Sequence, residues 1–333
     1  STISTDVIDK GTNSDGTTNT LAYDGTVDNN LRYVGANPAN YVYFNCSNPD
    51  NPTSSTCELW QIIGVMNNIQ TTSTGSLESR IKIVSPTRIN YLAWDMNSTG
   101  STAYTNDWNI ANINNVLNQY YLTSSSGTGY YLKSSTRRTY TFDFTSSGGM
   151  NSSALNYIDT AVWGITGPTI RYQTPAQMYD AERNGTVVTA NSTLGNTPTS
   201  TWTGTVGIPY ASDYGFATSG GSTTNRTSCL SKYISNSTSN SNTQDWRGYS
   251  DCYSNDFLYH SDYYNWSMTP YANSSSDQTN RVFLFYIGSN TGFLGTAETY
   301  TGYGSYPVVY LKANVLFSSG DGSATNPFVI KLI

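Results

Sequence analysis

Four cysteines stand in two local pairs, Cys46 with Cys57 and Cys229 with Cys252, and each pair brackets a loop rich in Ser, Asn and Thr. A chain pinned in this way builds its fold around two short covalent rings. Four cysteines allow three connectivities, and joining each to its near neighbour is the economical one, because short loops close with less loss of chain entropy. A four-cysteine zinc site is the alternative, but neither pair has the two-to-four-residue spacing such sites favour. The disulfide reading predicts an oxidising, extracellular location.

At 333 residues the chain can bury a sizeable core as one large or two ordinary domains. Charged residues make up only 11% of it, against about a quarter in an ordinary soluble domain, so its solubility rests on hydroxyls and amides. Disordered chains share that polar excess but lack aromatic groups, whereas this one carries 28 Tyr, 10 Phe and 7 Trp and is expected to fold. Sixteen basic residues against twenty-two acidic ones give a net charge of −6 with no run of Lys or Arg. That removes the electrostatic footprint of a nucleic-acid partner. No stretch approaches the roughly 20 apolar residues of a spanning helix, so membrane insertion is not expected. The numbering opens on Ser1 rather than Met, which reads as the product of a removed export leader.

Residues 1–30 are polar, with apolar positions too sparse for a core element. Such a segment is a mobile tail unless its own domain or a neighbouring copy takes it up as an added strand. From Leu31 onward the pattern becomes strand-like, with a meander expected at Tyr41–Phe44, Leu59–Val65 and Arg80–Val84. The period then changes. Ile110, Ile113, Leu117 and Tyr120 predict a helix over 107–122, and Leu155, Ile158 and Val162, followed by Gly164, predict a second over 152–163. Thr174-Pro175-Ala176-Gln177 is a capping box with Pro in the first turn, and it opens a third helix that leaves through Asn184-Gly185. Strand character returns at 202–210, 281–288, 308–312 and 328–333, while 218–242 reads as a surface loop pinned by a disulfide.

Few residues offer chemistry. The single histidine, His260, lies in a Tyr/Asp-rich stretch with no nucleophile elbow or zinc-helix motif beside it, and the acids are scattered mostly singly. A secreted hydrolase working through two carboxylates is thus the weakest reading, and the chain is not expected to be an enzyme. The aromatic-dense span 246–271 is richer, because ring faces and carboxylates together can bind sugars. Trp246, Asp251, Asp256, Tyr259, Tyr263 and Trp266 are its candidate ligand-binding residues, with Asp262 among the neighbouring acids and Ca²⁺ as the one ion those acids could hold. The competing reading packs these rings into the core or a subunit contact.

Several segments carry a family resemblance: Leu31-Arg32-Tyr33-Val34-Gly35-Ala36-Asn37-Pro38, Leu59-Trp60-Gln61-Ile62-Ile63-Gly64-Val65, Tyr210-Ala211-Ser212-Asp213-Tyr214-Gly215 and Pro307-Val308-Val309-Tyr310-Leu311-Lys312. Through them the chain resembles a group of uncharacterised exported proteins of Gram-positive-lineage gut bacteria, similar to domains of unknown function with a C-type-lectin-like fold. Gln61 and Tyr306 stand where that group more often has Arg. The resemblance implies a single α+β domain over 31–333 in which small antiparallel sheets and two or three helices carry long loops, among them a long disulfide-pinned loop region at 210–275. It also implies that the N- and C-terminal strands lie together.

Two functions fit these observations. One is an extracellular structural subunit that self-associates into a surface fibre or layer, its arm of residues 1–30 donated to the next copy. The other is a carbohydrate-binding adhesin working through 246–271. Copies of itself, or glycans, are the expected partners.

Overall fold

From Trp60 to Met66 nearly every position is apolar, the pattern of a strand covered on both faces rather than one. In the computed structural model these residues lie in a twelve-residue strand, Glu58–Ile69, that forms the spine of the larger sheet. The structure describes residues 21–99, 104–235, 244–261, 263–274, 281–285 and 292–333.

The chain opens with β1 (Leu21–Tyr23), β2 (Leu31–Tyr33), β3 (Tyr41–Phe44), β4 (Glu58–Ile69), β5 (Glu78–Val84) and β6 (Ile89–Leu92). A 3₁₀ turn and α1 (Asn112–Asn115) lead to β7 (Ser126–Lys133), β8 (Thr136–Asp143), β9 (Ile158–Asp159) and β10 (Ala161–Gly164). Next come α2 (Pro175–Asn184), β11 (Thr201–Gly204), α3 (Ala211–Phe216), α4 (Arg226–Leu230) and α5 (Ser250–Ser254). The last part is all strand: β12 (Asn265–Tyr271), β13 (Arg281–Phe285), β14 (Leu294–Glu298), β15 (Tyr303–Ser305), β16 (Val308–Leu311), β17 (Val315–Ser319) and β18 (Val329–Leu332).

The fold is mixed α and β, with small, mostly antiparallel sheets and few helices. The larger sheet runs β1-β2-β4-β5-β16-β9, with β3 also on β4; the second runs β14-β13-β12-β15-β6, and three two-stranded ribbons complete it. Among the described residues β12 and β15 are the one strand pair that runs parallel, apart from isolated bridges. The main buried cluster reaches from Leu31 to Phe328 through both sheets, and a small second one of Ala93, Met96 and Tyr104 lies under the β7 strand. Gly64 shows how tightly the spine is packed, since a Cβ there would lie 2.3 Å from the Leu31 carbonyl oxygen on β2. Just before β18, Phe328 bridges to β3: its amide donates to the Tyr41 carbonyl and its carbonyl accepts from the Tyr43 amide, both at 2.9 Å, while β18 itself pairs with β17 and not with the opening strands β1 and β2.

Of the segment read as an arm, residues 21–30 are part of this sheet. β1 pairs antiparallel with β2 of the same chain, and Asp24 and Asn30 in the connecting turn are buried. Residues 1–20 lie outside the described residues.

The helix over 107–122 is present, but it starts as a 3₁₀ turn capped by Asp107 and finishes as a π turn over Val116–Tyr121. The extended Ala111 separates the 3₁₀ turn from the helix and leaves Ile110 exposed, while the wider π turn brings Tyr121 to the buried face with Ile113, Val116 and Leu117. The helix expected over 152–163 does not form. A 3₁₀ turn at Ala154–Asn156 gives way to β9 and β10, where Ala161 and Trp163 are buried and their neighbours half-buried. Leu155, Ile158 and Val162 matched a helical spacing by coincidence, and the β-branched and aromatic residues of the stretch favour the extended form. The third helix matches its sequence signals. Thr174 caps α2 and accepts from the Gln177 amide at 3.3 Å, while Gln177 returns a bond to the Thr174 amide at 2.9 Å.

Both near-neighbour disulfides, Cys46–Cys57 and Cys229–Cys252, are formed, which is compatible with an extracellular protein. Among the described residues no helix is long and apolar enough to cross a membrane.

Beneath the larger sheet lies an ion network with almost no solvent contact. Arg32 on β2 bonds Asp24 and Asp213, each at 2.8 Å, and Lys82 on β5 meets the other Asp213 oxygen at 2.5 Å. The Tyr210 ring lies 4.5 Å from the Lys82 ammonium. Burial alone would push the Asp213 carboxyl up, but Lys82 and Arg32 outweigh it and hold it at about 2. At Lys82 burial outweighs the pull of Asp213 and brings the ammonium down to about 8, which still leaves it charged at neutral pH. Beside this network Glu182 of α2 accepts from the Ser212 amide at 3.0 Å and the Thr269 hydroxyl at 2.6 Å, tying α2, α3 and β12 together.

Candidate functional site

The structure does not gather the six candidates of 246–271 into one exposed face. Trp246 and Trp266 are fully buried, and their indole N–H groups donate to the carbonyls of Cys229 at 3.0 Å and Leu92 at 2.7 Å. Trp266 packs edge-on against Trp94 and Tyr303 from β12, a strand buried along its whole length. Asp256 is buried, and burial pushes its carboxyl well above the usual range. Asp251 lies in the first turn of α5, where hydrogen bonds from Thr223 and Thr224 hold its carboxyl low. Tyr259 is half-buried against Tyr253, and Tyr263 is exposed beneath the Arg88 guanidinium, which lies 4.4 Å from its ring centre. The aromatic density thus serves mainly the core. Asp262 lies outside the described residues. His260 stacks on Tyr306, their ring centres 4.6 Å apart. Among the described residues no three His, Cys, Asp or Glu side chains come together as a metal site.

A different feature stands out on the surface. β7 and β8 pair over eight residues, from Ser126 opposite Asp143 to Lys133 opposite Thr136, as a ribbon of only two strands. Ser134 and Ser135 join them, both with positive φ, 49° and 62°. That is the conformation of the two-residue turns whose twist matches a hairpin. The ribbon is seated by its inner face. Phe142 is buried, Tyr140 packs 5.0 Å from it, and Tyr91 lies between Tyr131 and Tyr140 at 5.5 and 4.9 Å. Gly127 permits the seat, since a Cβ there would fall 2.0 Å from the Tyr120 ring.

The inner strand, β7, is tied to the body by the Leu132 amide, which donates to the Tyr300 carbonyl at 2.8 Å. The outer strand, β8, pairs with β7 alone among the described residues, and seven of its eight residues are exposed. Its alternate amides and carbonyls therefore face solvent along an edge of ~27 Å. Arg137 and Arg138 make that edge basic in a chain of net charge −6, and their adjacency places one guanidinium on each face.

Sequence reading missed this hairpin. Thr alternates with Tyr and Phe from Thr139 to Phe142, which is a short strand signal, but Ser134-Ser135 lacks the Asn-Gly or Asp-Gly that marks such turns. Compared with family models, curated proteins and solved structures, the chain matches none.

Proposed function

We propose that the protein is an extracellular, cell-surface subunit that self-associates by strand addition, with the leading segment 1–20 of one copy paired to the free edge of β8 in the next. The reading is carried by that edge: eight residues long, exposed, without a described partner and basic. The leading segment complements it in length, composition and charge. Thr2 to Asp9 is also eight residues, with β-branched side chains at Thr2, Ile3, Thr5, Val7 and Ile8. Three Asp and one Lys give residues 1–20 a charge of −2, against +2 for Lys133, Arg137, Arg138 and Asp143 of the hairpin. Two adjacent arginines disfavour pairing β8 with another β8 and favour an acidic strand. Because donor and acceptor are different surfaces, the contact is head-to-tail, and it propagates into an open fibre where successive rotations do not close a ring. In the same reading the domain is C-type-lectin-like, on the strength of the bridge from Phe328 to β3 and of the small sheets that carry long loops.

Size-exclusion chromatography and electron microscopy test this on three proteins: the full chain, a chain lacking residues 1–20, and Arg137→Glu/Arg138→Glu. Fibres or oligomers from the first alone, weakened by salt, are the expected result. A full chain that stays monomeric at high concentration, or equal assembly by all three, would overturn it.

A further inference from the structure

We propose that the open cleft between the Cys46–Cys57 loop and the loop 144–152 binds a neutral carbohydrate. This site is independent of the self-association surface. The cleft encloses about 570 Å³, within the range of small-ligand sites. Its rim carries hydroxyls of Ser47, Thr56, Thr123 and Ser146, and its apolar patch is Phe144 with Leu155, the latter 41% exposed. Ser47, Thr56 and Thr123 already donate to the carbonyls of Thr56, Asn51 and Gln119, so their oxygens face the cleft as acceptors. Hydroxyl acceptors beside a small apolar surface suit a sugar, whose C–H face needs cover and whose hydroxyls donate.

The lining argues against other ligands. Glu58 is its one charged residue, so nothing there would pair with an anion. Both Glu58 oxygens are already engaged, one by Asn45 Nδ2 at 3.0 Å and the other by the Trp60 indole at 2.7 Å, which leaves little for a cation. Burial pushes the Glu58 carboxyl up, partly offset by those two bonds. The hydroxyl-rich rim likewise disfavours a purely apolar molecule.

The walls are fixed before any ligand arrives. Asn45, held at φ 52°, donates to the Gly149 carbonyl at 2.9 Å and accepts from the Asn151 amide at 2.6 Å. Ser124 donates to the Met150 carbonyl at 2.7 Å, and Ser153 to the Cys46 carbonyl at 2.6 Å. Tyr121 meets the Phe144 ring edge-on at 5.6 Å. A preformed site loses less ordering entropy on binding.

The test is binding of the full chain to a printed panel of neutral, sialylated and sulfated glycans, followed by titration of the best neutral hit. Leu155→Asp and Ser147→Trp alter exposed residues of the cleft, and unchanged melting temperatures would show that each still folds. The expected result is binding of neutral members, with affinity reduced tenfold or more in both variants. Absence of binding to every neutral glycan up to about 10 mM on titration, a preference for anionic glycans, or full affinity in both variants would overturn the proposal.

Discussion

Asp213 is the residue on which the buried charges converge. One oxygen faces Arg32, and the other faces Lys82 and the Tyr210 amide, which donates to it at 2.9 Å. Removing one partner from such a cluster leaves the others charged in a dry interior, a loss of about 3–5 kcal/mol. Asp213→Asn should cost on that order, measured by urea denaturation at pH 5. The pH profile follows from the same environments. Asp213, at about 2, and Asp24, whose burial is outweighed by Arg32, ionise more readily in the fold than in the open chain. Their contribution is present above the ordinary carboxyl value and is lost as pH falls through it towards 2. Asp95 behaves oppositely: burial raises it to about 7, and Glu182 and Asp256 are also pushed up by burial. Between the ordinary carboxyl value and about 7 the unfolded chain has released the Asp95 proton that the fold still holds, so stability falls as pH rises. Stability should therefore peak near pH 4–5, and Asp95→Asn should flatten the neutral side of the profile while Asp213→Asn flattens the acid side. A wild-type profile rising steadily from pH 5 to 7 would contradict this assignment of the carboxyls.

At the scale of elements, the β7–β8 ribbon depends on rings lying flat where glycine stands. Gly127→Ala places a methyl 2.0 Å from the Tyr120 ring, so the ring or the strand must move. Overpacking of this kind costs about 1–3 kcal/mol, and the expected result is a lowered melting temperature together with faster hydrogen exchange at the Ser126–Asp143 amides. The ribbon also marks the limit of what could be read from the chain alone. α2 was legible because its capping box is local, and β3, β4, β5, β16 and β18 because apolar runs bounded by polar turns need no partner to be recognised. Residues 158–164 were misread because the spacing of Leu155, Ile158 and Val162 fits a helix until Leu311 and Gly204 are known to lie opposite. The aromatic span was legible as a cluster but not as a site, since nothing in the order of Trp246 and Trp266 reveals that distant carbonyls take their N–H groups. The cleft over Glu58 had no sequence signature, because it arises where segments 104 to 106 residues apart come together, and the strand signal of β8 does not tell that, among the described residues, no further strand lies along its edge.

Across the whole molecule, one core cluster joins both sheets and the helices, and Phe328 near the C-terminus is bonded to Tyr41 and Tyr43 of β3. Nothing in that arrangement separates the first half from the second. The Arg32, Lys82 and Asp213 network links β2 and β5 to α3, well over a hundred residues further along. A body built this way should unfold as a unit, and the disulfides should act on it by restricting the open chain rather than by holding one part to another. Cys46–Cys57 spans 11 residues and Cys229–Cys252 spans 23. Closing rings of that size in the unfolded chain contributes about 3 kcal/mol each. Replacing Cys229 and Cys252 by Ser should therefore lower the temperature of a single calorimetric transition by several degrees and leave it single. If the variant instead melts in two steps, with the 210–275 region lost first, the disulfide is holding a separate foldon and the single-core account fails.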